Sequence, residues 1–214
     1  MNARRMALRM ALGAGLAALT GCAATPPARF YALAAAAVPG AAMPDADVVV
    51  GPVSIPAVVD RPEIVVSLAA NEVWLDEFNR WAAPLADNIA LATADNLHAL
   101  LGATKVRLAA QTAGGAGGYR VAIEVQRFES EPGTAAVLDA VWTVRRVADG
   151  ATTSGRTTLR EPTNGAGYAA LAAAHSRALA QLGRAIAQAV RQLAPAAANS
   201  AAEPVAATAP SRGR

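Results

Sequence analysis

The stretch GYAALAAAHSRALAQLGRAIAQAVRQL (Gly167–Leu193) decides the fold. Leu171, His175, Leu179, Leu182, Ile186, Val190 and Leu193 recur at the three-and-four spacing that lines one side of a helix. Arg177, Gln181, Arg184, Gln188 and Arg191 run along the other side, and Pro195 ends the pattern. At 1.5 Å per residue such a helix would be about 40 Å long, enough to lie across a whole sheet.

The residues before it supply that sheet. Tyr119, Val121, Ile123 and Val125 alternate with Arg120, Glu124 and Gln126, the pattern of a half-buried strand. Ala136–Val147 follows with Leu138, Ala140, Trp142 and Val144 on one face. Asp149-Gly150 marks a turn, and Thr152–Glu161 is the returning strand. Glu63–Leu68 and Glu72–Leu75 read as a hairpin around Ala69-Ala70-Asn71, and Lys105–Ala109 as a short strand. Asp47–Pro56 is apolar and β-branched but interrupted by Pro52, which cannot donate to a ladder, so an edge or bulged strand is expected.

A second helix opens at Pro84 and runs to Leu101, with Gly102 as its stop. Leu85, Ile89, Thr93, Leu97 and Leu101 share one side of it. The order β-β-β-α-β-β-β-β-α predicts a single α+β domain with a mainly antiparallel sheet and two long helices packed on one face. The domain spans 46–194. Residues 22–45 carry Pro26-Pro27, Pro39-Gly40 and Pro44 and read as a tether, although Arg29–Leu33 fits a first short strand. Residues 195–214 are an Ala/Pro-rich tail without periodicity, expected to be disordered, and Gly114–Gly118 reads as a flexible connection.

The N-terminus carries an address. Arg4, Arg5 and Arg9 precede an uncharged run from Met10 to Thr20, too short to span a bilayer. Leu19-Thr20-Gly21-Cys22 resembles the lipobox of bacterial lipoproteins. That resemblance implies a signal peptide over 1–21 and an acylated Cys22 as the new N-terminus. A three-chain anchor would be effectively permanent, whereas one chain binds reversibly. Ala23, where an inner-membrane retention signal would often place Asp, implies the outer membrane by the same resemblance. Cys22 is the chain's single cysteine, which leaves no internal disulfide and no cysteine-based zinc site.

Removing the signal changes the charge. The whole chain has 19 Lys+Arg and 16 Asp+Glu, but three of the arginines and none of the acids lie in 1–21. The remainder carries equal numbers, and the basic balance that nucleic-acid binding requires disappears. No catalytic residues are assigned: Gly-x-Ser-x-Gly, His-Glu-x-x-His and Gly-x-x-x-x-Gly-Lys are missing from the sequence. His175 lies on an apolar stripe and reads as a core histidine; His98 reads as a boundary residue. Neither has a ligand at metal spacing on its helix, and no cofactor motif is present. The acids Asp60/Glu63 and Asp76/Glu77 have no nucleophile beside them and read as exposed turn residues, the alternative being a hydrolase.

Two segments interleave charges with apolar residues: Asp60-Arg61-Pro62-x-Ile64-Val65, and Glu77-Phe78-x-Arg80-Trp81-Ala82-x-Pro84-Leu85. One reading is a packed connection stapled by Phe78 and Trp81. The other is a recognition surface made of Asp60, Arg61, Pro62, Glu77, Phe78, Arg80 and Trp81, because Trp and Arg are enriched at binding hot spots. With Gly51-Pro52-Val53-x-Ile55-Pro56 and Tyr31-x-Leu33, these segments resemble the ABC-transport auxiliary lipoproteins, similar to paraquat-inducible protein C-like subunits. The resemblance implies a non-enzymatic, lipid-anchored component on the periplasmic face of the outer membrane. Its partner would be an MCE-domain periplasmic protein that bridges to an inner-membrane permease and ATPase, and homo-oligomerisation is compatible with it. The alternative is a structural or assembly lipoprotein of the envelope without a transport role.

Overall fold

The apolar stripe of the long C-terminal segment is buried because it meets a sheet and a second helix at once. A computed structural model describes residues 26–111 and 118–195. The expected signal peptide, Cys22, residues 114–117 of the glycine cluster and residues 196–214 of the tail lie outside the described residues. The elements are β1 (Arg29–Tyr31), β2 (Asp47–Ser54), β3 (Glu63–Ala69), β4 (Glu72–Trp81), α1 (Leu85–Leu101), β5 (Lys105–Leu108), a 3-10 turn (Ala109–Gln111), β6 (Tyr119–Glu131), β7 (Ala135–Arg146), β8 (Thr152–Pro162) and α2 (Tyr168–Leu193).

The chain is a single α+β domain, as expected, but its strands form two mixed sheets. The larger has the order β5-β2-β6-β7-β8 and the smaller β1-β4-β3. β6, β7 and β8 form an antiparallel meander, while β2 pairs in parallel with both β5 and β6, and β1 in parallel with β4. The β2–β5 pair is parallel because α1 lies on the crossover that returns the chain alongside β2 in the same direction. A list of strands in sequence order does not reveal this. Pro52 sits where the β2–β6 register shifts between Val50 and Val53, so the expected bulge is present. The strand is nevertheless internal, and Val48, Val49 and Val50 are all buried, as a parallel strand covered on both faces requires.

The helices lie side by side, α1 over β2 and β5 and α2 over β7 and β8. Leu85, Ile89, Thr93, Leu97 and Leu101 of α1 are buried, and so are Leu171, His175, Leu179, Leu182, Ile186 and Val190 of α2. Gly102 closes α1 in the left-handed conformation (φ 57°), where a Cβ would be strained. His98 Nδ1 donates to the Ala103 carbonyl at 2.8 Å just beyond that end.

The segment assigned to a tether is corrected in part. Residues 33–43 are strapped across both helices by side chains that satisfy their backbone. Asn88 Oδ1 accepts from Leu33 N at 3.2 Å, Ser176 Oγ from Ala34 N at 3.1 Å, and Asn96 Oδ1 from Ala36 N and Ala37 N at 3.0 and 2.9 Å. Arg191 donates to the carbonyls of Ala41 and Leu100, and Met43 N to Leu101 O. Leu33 is buried in the core. Between Leu33 and Met43, which pack on the core, the strap is mostly alanine with little to bury, so polar groups two helical turns apart hold it in place.

Candidate docking surface

The two charge-and-apolar segments singled out in the sequence meet in space. Asp60-Arg61-Pro62 is the turn into β3, and Glu77–Trp81 is the last half of β4 rather than a connection between strand and helix. The Pro62 carbonyl accepts from Trp81 N at 2.8 Å, and Arg80 pairs with Glu63 at 2.7 Å. Glu63 faces Arg80 in the ladder. The backbone N–H of Glu63 itself, followed by the Arg80 guanidinium, holds its carboxyl below the ordinary range despite an opposing burial effect. The two motifs therefore tie the start of β3 to the end of β4.

Between Ile64↔Asp76 and Glu63↔Arg80 the register slips, and Asp76 is the reason β4 can bend there. Its Oδ1 accepts from Phe78 N at 2.9 Å and Asn79 N at 3.0 Å. Burial pushes the Asp76 carboxyl up, but bonds from the Tyr168 hydroxyl and these amides outweigh it and leave the group lowered. Burial and the Asp76 carboxylate raise the Tyr168 phenol. This bulge turns Phe78 outward and Trp81 inward.

Trp81 is not available to a partner. Its side chain is 5% exposed and stands edge-on to Phe128 and His175, at centroid distances of 6.1 and 6.2 Å. Phe128 and the His175 ring stack at 3.9 Å. The stapling reading thus holds for Trp81, because a bulky ring at the end of an edge hairpin finds the open end of the core. Asp60, Pro62, Glu77 and Phe78 remain on the surface, with Arg61 and Arg80 half-exposed. His175 is the core histidine anticipated: Nε2 shares a hydrogen bond with Ser130 Oγ at 2.9 Å, and burial pushes the imidazole down to about 3. The arginine stripe of α2 is largely spent on the fold. Arg177 pairs with Glu161 and binds the Pro162 carbonyl, and Arg191 caps α1; Arg184 alone of the three is fully exposed.

The surface that the sequence reading missed is the β3–β4 hairpin itself. Leu68, Val73, Trp74 and Leu75 are all exposed, Trp74 by 58%. In the ladder Val73 opposes Ser67, Trp74 opposes Val66 and Leu75 opposes Val65, so the apolar side chains project from both faces. The signal lay in the absence of alternation: Val73-Trp74-Leu75 cannot bury on one face of a strand. Beside the hairpin opens a groove of about 810 Å³, with Val58, Val65, Val73 and Phe128 among its lining and Arg127 and Glu72 at its rim. Arg127 is held bidentate by Glu129 at 2.8 and 2.7 Å.

Strand edges border the groove. β3 is the outer strand of its sheet, and β2 accompanies β6 only as far as Glu124, leaving the rest of β6 with β7 as its one ladder neighbour. Among the described residues no three His, Cys, Asp or Glu side chains gather as metal ligands. Nor does any described helix have the length and apolarity to cross a membrane.

Comparison with known proteins accords with the architecture. No curated protein was found to match. The crystal structure of XCC0632 from Xanthomonas campestris, a DUF330 protein, superposes with a TM-score of 0.63 at 23% identity, covering 77% of this chain and 99% of that one. A second crystal structure, of a protein without assigned function, gives 0.63 at 19% identity with the same coverage. At these identities the likeness establishes the fold. The profile described as "ABC-type transport auxiliary lipoprotein component" matches residues 31–187, which run from the last residue of β1 through both charge-and-apolar motifs and the hairpin to most of α2. The chain belongs to the family of ABC-type transport auxiliary lipoprotein components.

Proposed function

We propose that this chain is a non-catalytic lipoprotein subunit of an MCE-type ABC lipid-transport system, anchored through acylated Cys22 on the periplasmic face of the outer membrane. Its task is to dock the periplasmic MCE-domain protein that bridges to the inner-membrane permease and ATPase. Membership of the auxiliary lipoprotein family supports the association with an ABC transporter. The observation that carries the docking role is the groove between β3 and β6. An extended, mainly apolar partner segment laid there runs along β3, the outer strand of the small sheet, the geometry of β-strand addition. Its side chains meet Val58, Val65, Leu68 and Val73, and Trp74, exposed on the other face of the same hairpin, is an aromatic anchor for a partner that wraps the hairpin.

The test is co-purification from detergent-solubilised envelopes, comparing the wild type with Leu68→Ser/Trp74→Ser. Recovery of an MCE-domain protein by the wild type and loss by a folded double variant supports the reading. Absence of any MCE protein with the wild type rejects the transport role.

A further inference from the structure

The strap across the helices has a consequence for where the domain sits. A tether over 22–45 would let the domain roam tens of ångströms from its anchor. Pro26 already lines a pocket with Arg29 of β1 and Phe78 of β4, so only three residues, 23–25, separate Cys22 from the packed chain. The four steps from Cys22 to Pro26 span at most about 14 Å. The headgroup layer of one leaflet is itself on the order of 5–7 Å deep. If Cys22 is acylated, as the proposed function requires, the entry point of the chain is held at or just above the headgroups.

The surface around that entry point is suited to such a place. Phe30 is 63% exposed and Phe78 36% exposed. Phe78, Arg29 and Pro26 line one shallow pocket of about 310 Å³, into which Tyr31 and Tyr168 also reach. Arg29 stands opposite Asn79 in the β1–β4 ladder, is exposed, and has no ion pair among the described residues. Adjacent residues of a strand project to opposite sides, so Phe30 and Arg29 flank β1, which is the outer strand of its sheet.

We propose that this edge, β1 with Phe30 on one side and Phe78 and Arg29 on the other, rests on the phospholipid surface that holds the Cys22 lipid. The domain is seated edge-on at headgroup depth. There the aromatic rings leave water, Arg29 meets a lipid phosphate, and residual water satisfies the outer backbone groups of β1. Glu77, next to Phe78 on β4, is exposed and acidic, so the rings rather than a net positive charge carry the contact. Seating at this end also orients the rest. β4 runs from Trp81 back to Glu72, about 30 Å at strand rise, so the apolar hairpin tip lies at the far end of the same strand from the membrane edge.

The inference rests on the anchored reading and is tested so that the two can fail separately. Full-length, cell-acylated protein carrying Glu77→Cys or Asn71→Cys is labelled with a bimane and placed in phosphatidylethanolamine/phosphatidylglycerol vesicles containing headgroup nitroxide. Seating predicts quenching at 77 several-fold stronger than at 71. It also predicts collapse of that difference when Phe30→Asp and Phe78→Asp are added to a chain that circular dichroism finds folded. Equal quenching at the two positions overturns the seat, and an undiminished difference in the double variant overturns the role of the rings. Intact mass settles the anchor independently: a mature chain without acyl mass overturns the anchored reading and the seat with it.

Discussion

Asn96 holds two consecutive backbone amides of the N-terminal strap, its Oδ1 accepting from Ala36 N at 3.0 Å and Ala37 N at 2.9 Å. The amide is aimed by its own nitrogen, which donates to the Ala92 carbonyl one turn back at 2.7 Å. Asn96 is fully buried, so water does not substitute for it. Asn96→Ala leaves both strap amides without their acceptor. The expected cost is about 1–3 kcal/mol, read as a lower urea midpoint with faster hydrogen exchange at Ala36 and Ala37. A loss of stability without faster exchange at those amides contradicts the strap.

Trp142 on β7 lies over Gly155 on β8, and its Nε1 donates to Thr157 Oγ1 at 2.9 Å. A Cβ at Gly155 would stand 2.8 Å from Trp142 Cε2. The ring needs that bare backbone, so Gly155→Ala forces the indole off its seat. Overpacking of this kind costs about 1–3 kcal/mol. A double-mutant cycle with Trp142→Leu, followed by thermal unfolding, should find most of that penalty gone when the ring is absent.

His175 makes stability depend on acid. Burial lowers its folded value to about 3, while the unfolded imidazole titrates near its ordinary value of about 6.5. Between these values the unfolded chain binds the extra proton, so stability is complete above about pH 6.5 and falls as pH drops toward 3. The slope in that window is about 1.4 kcal/mol per pH unit. The rings packed on it, Phe128 and Trp81, carry no charge to offset this. Urea titrations should give a shallower pH dependence between 6 and 4 for His175→Gln than for the wild type.

The two tryptophans of β4 separate folding from docking. Trp81→Ala empties a core site against Phe128 and His175 and is expected to cost about 3–5 kcal/mol, read as a large drop in the thermal midpoint. Trp74→Ala removes an exposed ring and should leave the midpoint within about 0.5 kcal/mol of the wild type while weakening recovery of an MCE-domain partner.

Much of this architecture was legible wherever one face of an element is wet. The stripe Leu171–Val190 and the alternation Tyr119–Val125 place side chains on the correct faces because helix and strand periods impose them. Gly102 ends α1 in the left-handed conformation that glycine adopts without strain. The parallel pairing of β2 was not legible, since partner choice depends on the crossover through α1 and leaves no mark in Val48–Val50. The strap was missed because its fixing groups, Asn88, Asn96 and Ser176, are on the helices, far from the alanines they hold. At the candidate surface, Trp81 and Trp74 are both tryptophans on one strand. Only the bulge at Asp76 and the open end of the core decide which is inside.

The most direct test of the account is photo-crosslinking in living cells. A benzophenone amino acid replaces Val73 on the hairpin or, as a control, Ser154 on the outer strand β8 of the large sheet. The account predicts that position 73 captures an MCE-domain protein and position 154 does not. Capture of that protein from 154 alone, or from neither position while the chain is acylated and folded, contradicts it.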